Sequence, residues 1–216
     1  MTFAQTERAA LCDLLLETGP AAPTLCEGWT TQELAAHLWI READPLHSLG
    51  FFTPVFAAAT DRRMERLRQE WSWPELVARL RQGPPRLSLF GFPGVDALAN
   101  SVEFFVHHED VRRAGAAPLP PRGLPDADED ALWRQLRFAG RSFFRTTSIG
   151  VVLERTDAEP GEDALVRVSN GAPMVTVQGR PSELVLYAFG RRSVADVHLV
   201  GEPAALDQLD PTHVEP

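Results

Sequence analysis

Apolar residues recur at three- and four-residue intervals through the first two-thirds of the chain; runs of strand character begin only at Gly150. Ala9, Leu11, Leu14 and Leu15 predict a helix over residues 5–18, stopped by Gly19-Pro20. A strong helix start follows at Trp29-Thr30-Thr31-Gln32-Glu33-Leu34. Thr30 is the N-cap, Glu33 completes a capping box, and Trp29 with Leu34 forms the hydrophobic staple. This helix runs to about Asp44, before Pro45. Further helices are predicted over residues 54–71, from Trp73-Pro74 behind the N-cap Ser72 as far as Gly83, over 95–115 and over 128–144. Residues 150–155, 164–168 and 174–177 read as strands, separated by turns at Pro160-Gly161 and Asn170-Gly171. An amphipathic helix over 181–189, a last strand over 194–200 and a short helix over 202–209 complete the chain.

The predicted fold is mainly α. An antiparallel four-helix bundle occupies residues 1–116, with the helices over 5–18, 30–44, 54–71 and 95–115 as staves. A linker over 117–127 carries Pro118, Pro120, Pro121 and Pro125, and a smaller α+β domain follows over 128–216.

The helix over 95–115 has an unusual pattern. Asp96, Asn100, Glu103, His107 and Asp110 fall on one stripe at about 100° per residue. Leu98, Val102 and Val106 flank the stripe on one side, Phe104 and Val111 on the other. Polar groups bounded by apolar ones on both sides point into a protein, and buried carboxylates and imidazoles need partners. Glu103 and His107, at i and i+4, leave the helix together. His108 projects elsewhere, near Ser101 and Arg112, and is expected to be exposed. On the helix over 30–44, His37 sits between Leu34 and Ile40, with Glu33 and Arg41 on the same stripe. A lone histidine there reads as a hydrogen-bonded core residue; a second helix presenting Glu103 and His107 turns it into a candidate ligand.

Composition narrows the partners. A net charge of −9 argues against nucleic acid and anionic membranes. The two cysteines, Cys12 and Cys26, make no disulfide framework and read as small buried apolar groups. No leader or transmembrane-length segment is evident, so the expected location is cytoplasmic. Arg62, Arg63, Arg66 and Arg68 read as one solvated helix face.

His37, Glu103 and His107 would offer a divalent metal two imidazoles and a carboxylate, leaving coordination positions open as catalytic sites do. Zn2+ suits the set, and Ni2+, Fe2+ or Mn2+ would also fit. Asp110 and Arg41 are candidates for supporting the ligands from behind, and Arg191 and Arg192 for binding a substrate anion.

Gly28-Trp29-Thr30 and Leu34-Ala35-Ala36-His37-Leu38, paired with the run from Glu103 to Asp110, resemble the mycothiol-dependent maleylpyruvate isomerase-like proteins of actinobacteria. Glu183-Leu184-Val185, Phe189-Gly190-Arg191-Arg192-Ser193 and the run from Val197 to Pro203 are similar to the C-terminal domain of that family. The resemblance implies a DinB-like metal-binding bundle followed by a sterol-carrier-like domain. It also implies His37, Glu103 and His107 as ligands and the low-molecular-weight thiol mycothiol as cosubstrate. Where the isomerases carry His-x-Trp-Asp, this chain has His107-His108-Glu109-Asp110, so maleylpyruvate itself is not implied as substrate. The expected activity is a metal- and thiol-dependent isomerase or S-transferase acting on a small electrophile, as a monomer or homodimer; the alternative is a non-catalytic metal-binding sensor or accessory protein.

Overall fold

The computed structural model describes residues 1–51, 53–84, 95–115, 119–159 and 161–209, with 45, 49, 54, 95–99 and 162 as backbone only. The chain is mainly helical with one small sheet, and it divides into two compact units, Met1–Leu119 and Pro120–Pro216.

The first unit is built from α1 (Phe3–Thr18), α2 (Thr31–Ala43), α3 (Pro45–Ser48), α4 (Pro54–Glu70), α5 (Trp73–Gln82) and α6 (Val95–Arg112), with a 3₁₀ turn at Leu49–Phe51. The capping box opening α2 forms: the Thr30 N–H donates to Glu33 Oε2 at 2.9 Å and Thr30 Oγ1 accepts from the Gln32 N–H. Gly28, with φ +77°, turns the preceding loop into this helix start, a backbone conformation that L side chains rarely adopt. α1 packs along α6 and against α5, while α2 packs against α3, α4 and α5. The staves expected from the sequence omit α5, yet its buried Leu76, Val77 and Leu80 join Leu11, Leu34 and Phe104 in one core. Ten residues suffice because those apolar positions repeat at helical spacing.

The second unit contains α7 (Asp126–Phe143), β1 (Gly150–Arg155), β2 (Leu165–Asn170), β3 (Met174–Gly179), α8 (Pro181–Ala188), β4 (His198–Val200) and α9 (Pro203–Leu209). The sheet order is β2-β1-β3-β4, with β1 parallel to β3 and the outer pairs antiparallel. α8 packs on β1 and β3, and α7 on α8 and β2. The buried carboxylate of Glu129 caps α8, accepting the Ser182 N–H at 2.8 Å and the Ser182 hydroxyl at 3.0 Å. The last strand is shorter than its apolar pattern predicts. Val194 and Ala195 donate their N–H groups to the Arg191 carbonyl in a turn, so pairing begins only at His198.

Candidate metal centre

Helices α2 and α6 bring three donor atoms together. Nε2 of His37 and Nε2 of His107 each lie 3.3 Å from Oε1 of Glu103. The two imidazole rings stand edge to face, their centroids 5.3 Å apart. Trp29 and Phe51 pack on the His37 ring at 5.1 and 4.2 Å between centroids. Both histidines are buried, but the Glu103 side chain is 20% exposed, so the cluster is reachable from solvent.

Behind these atoms stands a buried polar layer. Nδ1 of His107 donates to Oδ2 of the fully buried Asp110 at 2.8 Å, fixing the ring so that Nε2 faces Glu103 and His37. Nε of Arg41 lies 3.4 Å from Oε1 of Glu103, and Nη1 of Arg41 donates to Oδ1 of Asn100. Asn100 passes its own amide N–H to Glu42 at 2.7 Å, and Glu42 takes both Nη atoms of Arg8, at 2.5 and 2.6 Å. The stripe seen in the sequence is therefore an interior one from Asn100 to Asp110; the side chains of Asp96 and Leu98 lie outside the described residues.

Charge in the cluster follows from these contacts. Burial alone would lower the His107 imidazole pKa, but its bonds to Asp110, Cys26 and Glu103 raise it well above the ordinary histidine value. Burial would likewise raise the Glu103 carboxyl. Hydrogen bonds from His107 and His37, with the charges of His107 and Arg41, hold it well below the usual carboxylate range instead. For His37 burial wins over the Glu103 bond and lowers the pKa, assisted by the charge on His107. The site thus attracts one positive charge, and a cation bound on this face competes with the His107 proton.

Two expectations from the sequence change. His108 is buried rather than exposed: it reaches α1, where Nδ1 meets Oε2 of the buried Glu7 at 3.0 Å. Helical spacing could not reveal a carboxylate waiting on a distant helix. Cys26 is not simply an apolar filler either. Its Sγ is 3.2 Å from Oδ2 of Asp110 and 3.9 Å from Nδ1 of His107. Cys12 does fill the core, and burial pushes its thiol pKa up to about 11. Arg191 and Arg192 belong to the second unit, where they donate to the carbonyls of Phe189 at 2.6 Å and Leu209 at 2.5 Å.

The chain matches solved structures in fold over nearly its whole length. The crystal structure of a mycothiol-dependent maleylpyruvate isomerase superposes with a TM-score of 0.57 at 20% identity, covering 93% of this chain and 91% of that one. The chain has the fold of that isomerase. A histidine-to-alanine mutant of the mycothiol-dependent maleylpyruvate isomerase gives a TM-score of 0.59 at 19% identity, with the same coverage. No protein-family model matches the chain, and no curated protein sequence does. Among the described residues no helix is long and apolar enough to cross a membrane.

The donor set fits a divalent cation. Nitrogen and oxygen ligands about 2.1 Å from a tetrahedral ion are separated by about 3.4 Å, and the two N–O separations here are 3.3 Å. The ligand atoms of His37, Glu103 and His107 all lie within 4.8 Å of one another. Nδ1 of His37, the ring nitrogen that does not face Glu103, is buried with no hydrogen-bond partner among the described residues.

Proposed function

We propose that the first unit is a DinB-like antiparallel four-helix bundle holding one divalent metal ion on His37, Glu103 and His107, and that the protein is a thiol-dependent isomerase or S-transferase for a small electrophile. The observation that carries this reading is the convergence of two imidazoles and a carboxylate from α2 and α6, in a chain with the fold of a mycothiol-dependent enzyme. Zn2+ is the first candidate because the set is nitrogen and oxygen with few ligands; Ni2+, Fe2+ and Mn2+ share that preference. Mycothiol or a similar low-molecular-weight thiol is the proposed cosubstrate.

An ion bound there supplies Lewis acidity toward a thiol sulfur or a carbonyl oxygen. The chain's own residues do the positioning. Asp110 holds the Nδ1 proton of His107 and so presents the Nε2 lone pair. Hydrogen bonds from His107 and His37 keep Glu103 ionised, and the charge of Arg41 beside it adds to them. Trp29 and Phe51 exclude water from the His37 side. Arg191 and Arg192, in the second unit, remain candidate anion-binding groups, and the proposed location is cytoplasmic.

The test is metal content of unchelated protein by mass spectrometry, followed by thiol-dependent turnover of maleylpyruvate and related unsaturated acids. About one ion per chain and turnover requiring both metal and thiol are expected. One ion without thiol-dependent turnover would leave a metal-binding sensor or accessory protein, and no ion after reconstitution would end the metal reading.

A further inference from the structure

The loop leading into α2 places a thiol directly behind the cluster. Cys26 Sγ donates to Oδ2 of Asp110 at 3.2 Å, the same oxygen that accepts Nδ1–H of His107 at 2.8 Å. Asp110 has no exposed surface, so its carboxylate depends on protein donors for its orientation. The loop is anchored to the same residue a second time, through the Leu25 N–H to the Asp110 carbonyl at 3.1 Å. It is braced internally as well: Thr24 Oγ1 accepts the Cys26 N–H at 3.2 Å and donates to the Trp29 carbonyl at 2.9 Å, and the Trp29 N–H donates to the Cys26 carbonyl at 3.0 Å. Trp29, at the end of that loop, packs on His37. One short segment therefore touches both candidate imidazoles, one through a ring contact and the other through Asp110 and a 3.9 Å approach of Cys26 Sγ to Nδ1 of His107.

We infer that Cys26 is a positioning residue of the metal centre: its thiol hydrogen bond orients the Asp110 carboxylate, which in turn aims Nε2 of His107 at the ion. The inference rests on the metal reading proposed above. Cys26, His107 and Asp110 also form a group whose donor atoms lie within 4.8 Å of one another. Direct ligation is the competing role, but a tetrahedral ion would separate the nitrogen and oxygen by about 3.4 Å, whereas the 2.8 Å seen here is a hydrogen bond. Removing the thiol leaves Asp110 with one fewer donor and freer to rotate; a hydroxyl at the same place restores the donor. Chemistry, not bulk, is what the position supplies.

The experiment uses the full chain with Co2+ as a spectroscopic probe and Zn2+ in competition. Cys26→Ala should weaken metal affinity about tenfold, at the lower end of what loss of an outer partner costs, and should alter the cobalt d–d absorption. Cys26→Ser should restore both affinity and spectrum. As a control independent of mutant folding, native protein treated with methyl methanethiosulfonate should show the same loss. Reaction falls on Cys26 because Cys12 has no exposed surface and a thiol pKa of about 11. Wild-type affinity and spectrum in Cys26→Ala, or in the blocked protein, would overturn the inference while leaving the metal centre intact. A sulfur-to-cobalt charge-transfer band in the native protein that disappears in Cys26→Ser would overturn it too, making the thiolate a ligand. If native protein takes up no cobalt, the metal reading fails first and the inference with it.

Discussion

Two adjacent histidines on α6 face different chemistry. His108 looks toward α1 and, among the described residues, meets the carboxylate of Glu7. Nearby, the fully buried Glu109 is matched by Arg112 and Arg113, at 2.8 and 2.5 Å. On that side charge is answered by charge, which is how buried ions are tolerated in a core. His107 looks toward α2, where two carboxylates, a second imidazole and a thiol crowd around it. The first face is made of ion pairs and hydrogen bonds. The second gathers two imidazoles and a carboxylate whose ligand atoms lie within 4.8 Å of one another. Burial of a histidine therefore says little about function; the balance of donors around it says more.

The sharpest way to break this contrast is to remove one histidine at a time. His107→Ala and His37→Ala should each abolish stoichiometric metal uptake measured by mass spectrometry, while His108→Ala retains about one ion per chain. Retention by both of the first two would dismantle the assignment. On the paired face the expected loss is stability. Glu109→Ala takes from Arg113, only 1% exposed, the buried carboxylate 2.5 Å from its Nε, and should cost roughly 3–5 kcal/mol in chemical denaturation. Metal affinity should be unaffected; a tenfold drop in it would mean that the two faces are coupled.

A smaller effect separates the faces by pH. In chelated protein the raised His107 pKa contributes stability that is complete below the ordinary value of 6.5 and fades as pH rises through the folded value. The lowered Glu103 pKa contributes above the ordinary value of 4.5 and is lost as acid reaches its depressed folded value. Between those two ordinary values both contributions are present, so His107→Gln should flatten the alkaline side of the stability profile. Metal uptake should strengthen with rising pH over the same alkaline range, with about one proton released per ion in calorimetry across several buffers. Zero proton release would show that His107 holds no proton to displace. The smallest expected change is at Arg62, exposed on α4, where alanine should shift stability by no more than about 0.5 kcal/mol in the same denaturation assay.

Much of the fold and part of the site were legible in the residues themselves. Capping at Thr30 and Ser72, glycine and proline stops and helical apolar spacing are local signals, and the helices they predict are present in the structure. The polar stripe on α6 could be read as an interior face because its flanks are apolar. The end of the chain was harder. Val194 and Val197 suit a strand, but hydrogen bonding back to Arg191 holds Val194 in a turn.

The sequence by itself determined the long helices, the strands β1 to β3 and the pairing of Glu103 with His107, since all of these depend on spacing along one segment. Tertiary structure decided which polar groups meet across segments. Only packing could put Glu7 against His108, Cys26 against Asp110, and α5 against both α1 and α2. A periodicity records which way a side chain leaves its own helix; what waits for it there belongs to another part of the chain, brought close by burial of a shared core.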